Sequence, residues 1–228
     1  MLKNASRAVA AATVSALCFW SPAYAAPTAV ELVFEQPYLA KIDAGAALSY
    51  RFERKTDDKG LSPSFEDSVT LKLSNDEKGR KEAVVDMFSG ARAHSIGPLA
   101  TSGNPVVIAL LEQDVREMQK VLGGSPYYIR NRMRDAINDG GVVEPVKVEF
   151  DGRSVDGWRL TLKPFTKDAE REKFKDFAER SYELIFSDAV PGGLYKLVTV
   201  TPKKGADAPL LVENLTLEGV AAARADAK

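Results

Sequence analysis

The chain has 228 residues, 45% of them hydrophobic, and its 31 basic and 32 acidic residues give a formal net charge of −1. This even balance excludes the basic stripe that nucleic-acid binding requires and the polybasic patch that anionic lipid headgroups attract. A single cysteine, Cys18, and a single histidine, His94, exclude a disulfide framework and a Cys- or His-rich metal centre.

The first 25 residues have the pattern of a secretory signal peptide. Lys3 and Arg7 form a basic start, residues 8–20 carry no charge, and Ala-Tyr-Ala at 23–25 supplies the small residues of a cleavage site. The uncharged stretch is shorter than the roughly 20 apolar residues that span a bilayer. We therefore expect cleavage before Ala26 and an exported, soluble protein in the periplasm, without Cys18.

The rest of the chain is expected to form a single α+β domain over residues 26–220. No internal repeat or low-complexity segment divides it, and its length suits one domain with a sizeable core. The Ala-rich and charged residues 221–228 are expected to form a flexible tail.

The N-terminal third predicts strands. Residues 30–34 are expected to form a first strand, and residues 47–54 alternate apolar and polar side chains with the period of two that a half-buried strand shows. Residues 68–73 and 82–88 flank a polar turn in which Gly79 takes a positive φ, so these strands should form an antiparallel meander.

A long loop and a pair of helices follow. Residues 89–104 are polar and glycine-rich, which predicts a functional or mobile loop. Asn104-Pro105 and Ser125-Pro126 are helix starts, and Gly123-Gly124 and Gly140-Gly141 are helix stops. The first helix carries an apolar stripe at helical spacing, formed by Val107, Leu111, Val115, Met118 and Leu122.

The C-terminal half returns to strands. Asp151-Gly152 predicts a hairpin turn between residues 145–150 and 154–162. A third helix is expected over 168–181, followed by strands at 182–187, 194–201 and 210–217.

The late strands are apolar on both faces. Tyr182, Leu184 and Phe186 should share one face, while Leu194 is expected to lie with Val198 and Val200 and opposite Leu197. A sheet with one face in water would not show this pattern. The prediction is therefore a strongly curved antiparallel sheet, a half-barrel of about eight or nine strands, with helices on one face and an inner core or cavity on the other.

The residues that could carry catalysis are weakly placed. His94 and Ser95 are neighbours, and adjacent side chains seldom form a catalytic dyad. Asp57-Asp58 and Asp76-Glu77 lack the spacing of a calcium loop and suit solvated turns. We predict no enzyme activity, no metal and no cofactor.

Two surface features can be interpreted either as functional or as purely structural. Arg130, Arg132 and Arg134 could bind an acidic partner or a lipid phosphate, but a solvated helix face is the favoured interpretation. Tyr127-Tyr128 could gate an apolar cavity, although packing against the sheet is favoured.

The order of elements resembles the periplasmic lipoprotein-carrier superfamily. The resemblance lies in the signal, a meander opening with LSYRFER at 48–54, two mid-chain helices, and hairpins that include YELIFSDAVPGGLYKLVTV at 182–200. It covers most of the chain as architecture only, so no functional residue is carried over. It implies a half-open β-barrel lidded by helices, with an apolar cavity for acyl chains.

These features predict a non-enzymatic periplasmic protein that binds a hydrophobic acyl, lipid or lipoprotein ligand in the concavity of the sheet. Strand parity selects the cavity candidates Leu71, Trp158, Leu160, Leu184, Phe186 and Leu197. One alternative is an envelope interaction protein with a filled core, acting through a sheet edge or the 89–104 loop. The other is a carboxylate-dependent hydrolase. The expected partner is a lipid, a lipoprotein or an envelope protein; the oligomeric state stays open.

Overall fold

The computed structural model describes residues 25–221, so the predicted signal peptide, apart from Ala25, and the predicted tail, apart from Ala221, lie outside the described residues. The strands are β1 (Ala47–Lys55), β2 (Phe65–Asn75), β3 (Lys81–Met87), β4 (His94–Ala100), β5 (Val142–Phe150), β6 (Arg153–Leu162), β7 (Ser181–Phe186), β8 (Leu194–Thr201) and β9 (Leu211–Ala221). The helices are α1 (Pro105–Leu122) and α2 (Pro126–Asp135), with shorter helical segments at Glu31–Glu35, Gly90–Arg92, Ala136–Gly140 and Arg171–Glu179.

All nine strands form one antiparallel sheet in the order β4-β3-β2-β1-β9-β8-β7-β6-β5. Two meanders meet where β1 pairs with β9, and β4 and β5 are the edges, so the sheet is open. Phe65 of β2 and Tyr182 of β7 lie four strands apart but line one cavity, because the sheet curves around it. The predicted α+β half-barrel is confirmed.

The core lies on the concave face. Alternate residues of β7 and β9 are buried, and the residues between them are half-buried. Helix α1 lies on the same concave side as the cavity, since Leu110 and Leu111 line it together with sheet residues. The expectation that helices and cavity would occupy opposite faces is wrong: Val198 and Val200 on the convex face are only half-buried.

The predicted face of Leu194 is also wrong. Phe186 pairs with Leu194 while Ile185 pairs with Lys196, so Tyr195 is an extra residue in β8. Such a β-bulge changes the alternation of side chains. Leu194 therefore lies buried on the concave side with Leu197.

Residues 31–35 form a helical turn, so the predicted first strand is wrong. The reason is a capping box: the Thr28 amide donates to Glu31 Oε2 at 2.6 Å, and the Glu31 amide donates to Thr28 Oγ1 at 3.1 Å. These two bonds satisfy amides that would otherwise lack partners at a helix start. The turn buries Leu32 and Val33 in the core.

The predicted loop 89–104 contains a further strand, β4, which pairs with β3 and extends the meander to four strands. Ser95 Oγ donates to Asp86 Oδ1 across this pair at 2.6 Å. Gly97 and Pro98 obscure the period of two in β4, which explains the wrong prediction.

The helical pair is confirmed. Asn104 caps α1 by accepting from the Val107 amide at 3.2 Å, and Gly123 ends the helix with φ 74°. Arg130 of α2 binds Glu112 of α1 through two hydrogen bonds of 2.9 and 2.8 Å, which fixes the two helices together.

The third helix differs from the prediction of a regular α-helix. Arg171–Glu179 consists of 3₁₀ turns interrupted at Lys175, whose φ is 52°. Phe174 and Phe177 lie on either side of this interruption, and both are buried. The turns at Asp151-Gly152 and at Gly79 have the predicted positive φ values.

Candidate functional site

A cavity of about 510 Å³ lies between the concave face of the sheet and helix α1. Strands β1, β2, β7, β8 and β9 contribute to its wall, together with the segment after β3. Its apolar lining consists of Phe52, Phe65, Phe88, Ala91, Leu110, Leu111 and Leu197. The volume falls within the roughly 300–1,000 Å³ of small-molecule sites.

Three phenylalanines form one wall, and we call Phe52, Phe65 and Phe88 the aromatic cluster. Their ring centroids are 4.9 to 5.5 Å apart, and the Phe65 and Phe88 rings meet edge to face. The Arg92 guanidinium lies 4.4 Å from the centroid of Phe65 at the mouth of the cavity. The aromatic cluster offers a rigid apolar surface to a ligand.

The other end of the cavity is polar because one cross-strand row carries polar side chains. Tyr182 pairs with Thr199, Thr199 with Glu213, and Glu213 with Arg54. The next row pairs Leu184 with Leu197 and Leu197 with Leu215, and it is apolar. The cavity therefore changes from apolar to polar between one row and the next.

A buried ion network lies beneath this polar row, centred on Arg180, which is 0% exposed. Arg180 donates to both carboxylate oxygens of Asp114, at 2.9 and 3.0 Å, and to Glu213 Oε2 at 2.5 Å. It also donates to the hydroxyls of Thr199 and Thr201, at 2.9 and 2.7 Å. These bonds tie α1 to strands β8 and β9 and to the start of β7.

The two carboxylates of the network respond differently to burial. Burial raises the pKa of Asp114, and neighbouring Glu213 adds to this, although Arg180 opposes it. Burial would also raise the pKa of Glu213, but Arg180 and Arg54 outweigh burial and hold that pKa below its usual value. The Tyr182 hydroxyl donates to Asp114, and burial raises the tyrosine's pKa well above its ordinary range.

The predicted cavity candidates are on the concave side but mostly outside the cavity. Leu197 lines it. The other five are in the packed core or against it: Leu71, Leu160, Leu184 and Phe186 are buried, and Trp158 is half-buried. A ligand-binding role for these residues stays a prediction.

Residues 29–42, which we call the N-terminal segment, fill the part of the concavity where the other candidates lie. Tyr38 stacks on Phe186 with ring centroids 5.8 Å apart. Lys81 Nζ donates to the carbonyls of Leu39 and Ile42, at 3.1 and 2.6 Å, and so fixes this segment against β3. No sequence pattern predicted a segment of chain inside the half-barrel at this point.

The polar residues of the site were missed, although each carries a signal. Arg54 continues the buried alternation of β1 after Phe52, and Glu213 falls between Leu211 and Leu215 in β9. Asp114 lies one helical turn from Leu110 and from Met118. In a strand the residues two positions away share a face, and in a helix the residues one turn away do. A charged residue whose neighbours on that face are all buried is therefore indicated to be buried as well.

The other singled-out residues have local partners. His94 Nδ1 lies 3.0 Å from the Arg92 carbonyl, and Ser95 binds Asp86, so the two side chains are not a catalytic pair. Arg132 pairs with Asp135 at 2.9 Å. Tyr127 is 72% exposed, so its predicted packing against the sheet is wrong.

Two wider findings concern residues 25–221. No helix in this range has the length and apolar character needed to cross a membrane. Nor does this range contain a group of three or more His, Cys, Asp or Glu side chains arranged to hold a metal ion.

No family model matches the chain, and no curated protein does. Among solved structures it is similar to MucB in complex with MucA, with 14% identity, a TM-score of 0.36, and coverage of 83% of this chain and 55% of that one. It is similar to the Mycobacterium tuberculosis lipoprotein LppX at 12% identity and a TM-score of 0.30, over 75% of this chain and 84% of that one. It is similar to LprF from Mycobacterium bovis at 12% identity and a TM-score of 0.27, over 76% of this chain and 85% of that one.

The chain thus spans little more than half the length of MucB. Because all three TM-scores are below 0.5, the half-barrel description depends on this chain's own strands and register.

Proposed function

We propose that the protein binds an acyl chain or a similar hydrophobic ligand in the cavity on its concave face and serves the cell envelope from the periplasm without catalysing a reaction. The observation that carries this proposal is the cavity of about 510 Å³ walled by the aromatic cluster. Polar and charged side chains complete the lining, and an apolar wall that holds a ligand beside polar groups that orient it is a combination found in small-molecule sites.

The charged groups of the cavity support binding over catalysis. Acid–base catalysis needs a carboxylate that faces the substrate. Both oxygens of Asp114 and both oxygens of Glu213 are instead engaged by arginines, Tyr182 and Thr199. This arrangement disfavours the carboxylate-dependent hydrolase.

One observation favours a second function, that of an envelope interaction protein. Much of the concavity is filled by α1 and by the N-terminal segment, and most of the predicted cavity candidates are packed in the core. In this alternative the protein contacts a partner through its surface and carries no ligand.

Native mass spectrometry of the purified protein tests the proposal. We expect bound lipid or fatty acyl mass on the native protein and its loss in Leu111→Trp, which places an indole in the cavity. Val142→Trp is the matched control, because Val142 is 56% exposed on β5 and does not line the cavity.

Failure of the native protein to carry such mass, or to take it up from mixed lipid vesicles, would contradict the proposal and favour the interaction protein. Equal loading of Leu111→Trp and the native protein would place the ligand elsewhere.

A further inference from the structure

Two arginines line the mouth of the cavity and are open to solvent, and we call Arg92 and Arg116 the mouth arginines. Their side chains are each 51% exposed, in contrast to the buried arginines at the polar end. Arg92 lies against the aromatic cluster, 4.4 Å from the centroid of Phe65, and Arg116 belongs to helix α1. A ligand that fills the cavity can therefore reach both guanidinium groups.

Neither mouth arginine has a carboxylate to itself. Arg92 Nη2 lies 3.4 Å from Asp67 Oδ2, an oxygen that also accepts from a backbone amide at 3.1 Å. Arg116 Nε lies 3.5 Å from Glu112 Oε1, while Arg130 engages both oxygens of that carboxylate at 2.8 and 2.9 Å. Strong bonds between charged groups are shorter, at about 2.7–2.9 Å. Because long, exposed ion pairs contribute little free energy, both guanidinium groups can turn to another anion at small cost.

The other charges of the lining leave the mouth positive. Glu117 lies 3.0 Å from Lys120 Nζ, and its second oxygen accepts from Ser62 Oγ at 3.3 Å. Asp114 and Glu213 are held by the buried arginines of the ion network. Each of the three acidic side chains in the lining thus has a basic partner of its own, and the mouth arginines remain in surplus. An anion at the mouth therefore gains an attraction that a neutral group does not.

We infer that the cavity takes a single-chain amphiphile with an anionic headgroup, a carboxylate or a phosphate monoester, which the mouth arginines bind while the chain lies against the aromatic cluster. A guanidinium presents two parallel N–H donors that match the oxygens of both headgroups. The volume of about 510 Å³ is that of a site for one drug-sized ligand, which suits one chain. This inference rests on the proposed function, since it names the headgroup of the acyl ligand.

Two measurements test the cavity and the headgroup separately. Fluorescence of diphenylhexatriene, a hydrocarbon without oxygen, reports uptake into the apolar cavity alone. Calorimetric titration with decanoate, decyl phosphate and decanol, each kept below its aggregation limit, reports the preference for an anion, because the three ligands share one chain length. The titrations are made at neutral pH and about 0.15 M salt, where the field of a surface charge is screened beyond about 8 Å.

In the native protein we expect decanoate and decyl phosphate to bind roughly tenfold more tightly than decanol, as suits hydrogen bonds to charged donors. The tighter of the two anions identifies the headgroup. Arg92→Gln and Arg116→Gln should each weaken both anions about threefold, because two arginines share the headgroup, and the double variant should lose the preference. Decanol and the probe should bind unchanged.

Arg134→Gln is the matched control, because Arg134 is exposed on α2 and does not line the cavity. It removes the same charge and should change none of these affinities. If Arg92→Gln also reduces uptake of the probe, because Arg92 covers Phe65, the result for Arg116→Gln decides.

Equal binding of decanol and of both anions to the native protein would overturn the anionic headgroup. An Arg116→Gln variant that keeps the full preference, or that weakens decanol as much as the anions, would overturn the role of the mouth arginines. These results would leave the proposed function intact. If the native protein takes up neither the probe nor any of the three ligands, the proposed function fails together with the inference.

Discussion

Arg180→Met is expected to destabilise the protein strongly, because Arg180 is the cation that Asp114 contacts inside the fold. The substitution keeps a similar apolar stem but leaves the Asp114 carboxylate buried with only the Tyr182 hydroxyl as a partner. Glu213 is affected less, since Arg54 still binds it at 2.8 Å. Removing one partner of a buried ion pair costs about 3–5 kcal/mol of unfolding free energy.

Urea denaturation followed by circular dichroism measures this cost. With a slope of about 2 kcal/mol per molar urea, the unfolding midpoint of Arg180→Met should fall by roughly 2 M at pH 7.5. The control is Arg153→Met at the β5–β6 hairpin, where Arg153 and its partner Asp151 are both 77% exposed. An exposed pair contributes about 0–1 kcal/mol, so this midpoint should hardly move.

The unfolding free energy that Arg180→Met loses, its stability deficit, should depend on pH, which gives an independent check. Without Arg180, burial raises the folded-state pKa of Asp114 further above its unfolded value. A raised carboxyl pKa destabilises the fold above that pKa, and the penalty vanishes below the unfolded pKa of about 3.9, where the group is neutral in both states. The deficit of Arg180→Met should therefore shrink between pH 7.5 and pH 5. A deficit below about 1 kcal/mol, or one that does not change with pH, would refute the reasoning.

Three further substitutions test the local arguments. Thr28→Ala removes the capping box and should lower the unfolding free energy by about 1 kcal/mol in urea denaturation; an unchanged midpoint would contradict the cap. Gly103→Ala should lower the unfolding free energy by about 1–3 kcal/mol more than Gly79→Ala. Both glycines have a positive φ, but only at Gly103 would a Cβ meet the backbone of the helical turn at residues 31–35. Equal losses of unfolding free energy would contradict this close approach. Arg130 holds the pKa of Glu112 below its usual value, so this pair stabilises the fold above about pH 4.3 and loses its effect as the pH falls through the lowered pKa. In thermal unfolding, Glu112→Gln should be about 0.5 kcal/mol less stable at pH 7, and this gap should close in acid; a gap that widens in acid would reverse the assigned sign.

The sequence was sufficient where one local rule decides the structure. Asn104, Pro105 and Gly123 define α1 because caps and stops act within a few residues, and Asp151-Gly152 defines its turn for the same reason. The capping box at residues 28–31 was equally local, and the apolar run after it led to the wrong prediction of a strand.

The candidate site could not be predicted as a whole, because its residues come from distant parts of the chain. Leu197 was recovered by strand parity, whereas Leu160 and Phe186 satisfy the same parity but pack in the core. Parity selects a face of the sheet, and only the placement of α1 and of the N-terminal segment decides which part of that face stays open. The β-bulge at Tyr195 shows a further limit, since one extra residue reverses the expected faces without a signal in composition.

The pairing of β1 with β9 has a consequence for how the molecule is made. Ala47 faces Ala221 in the same ladder, so the central contact of the sheet joins the first and the last strand of the described residues. Contacts between such distant segments form slowly. Neither half can complete its hydrogen bonding until β9 is in place, so both meanders depend on the same late contact.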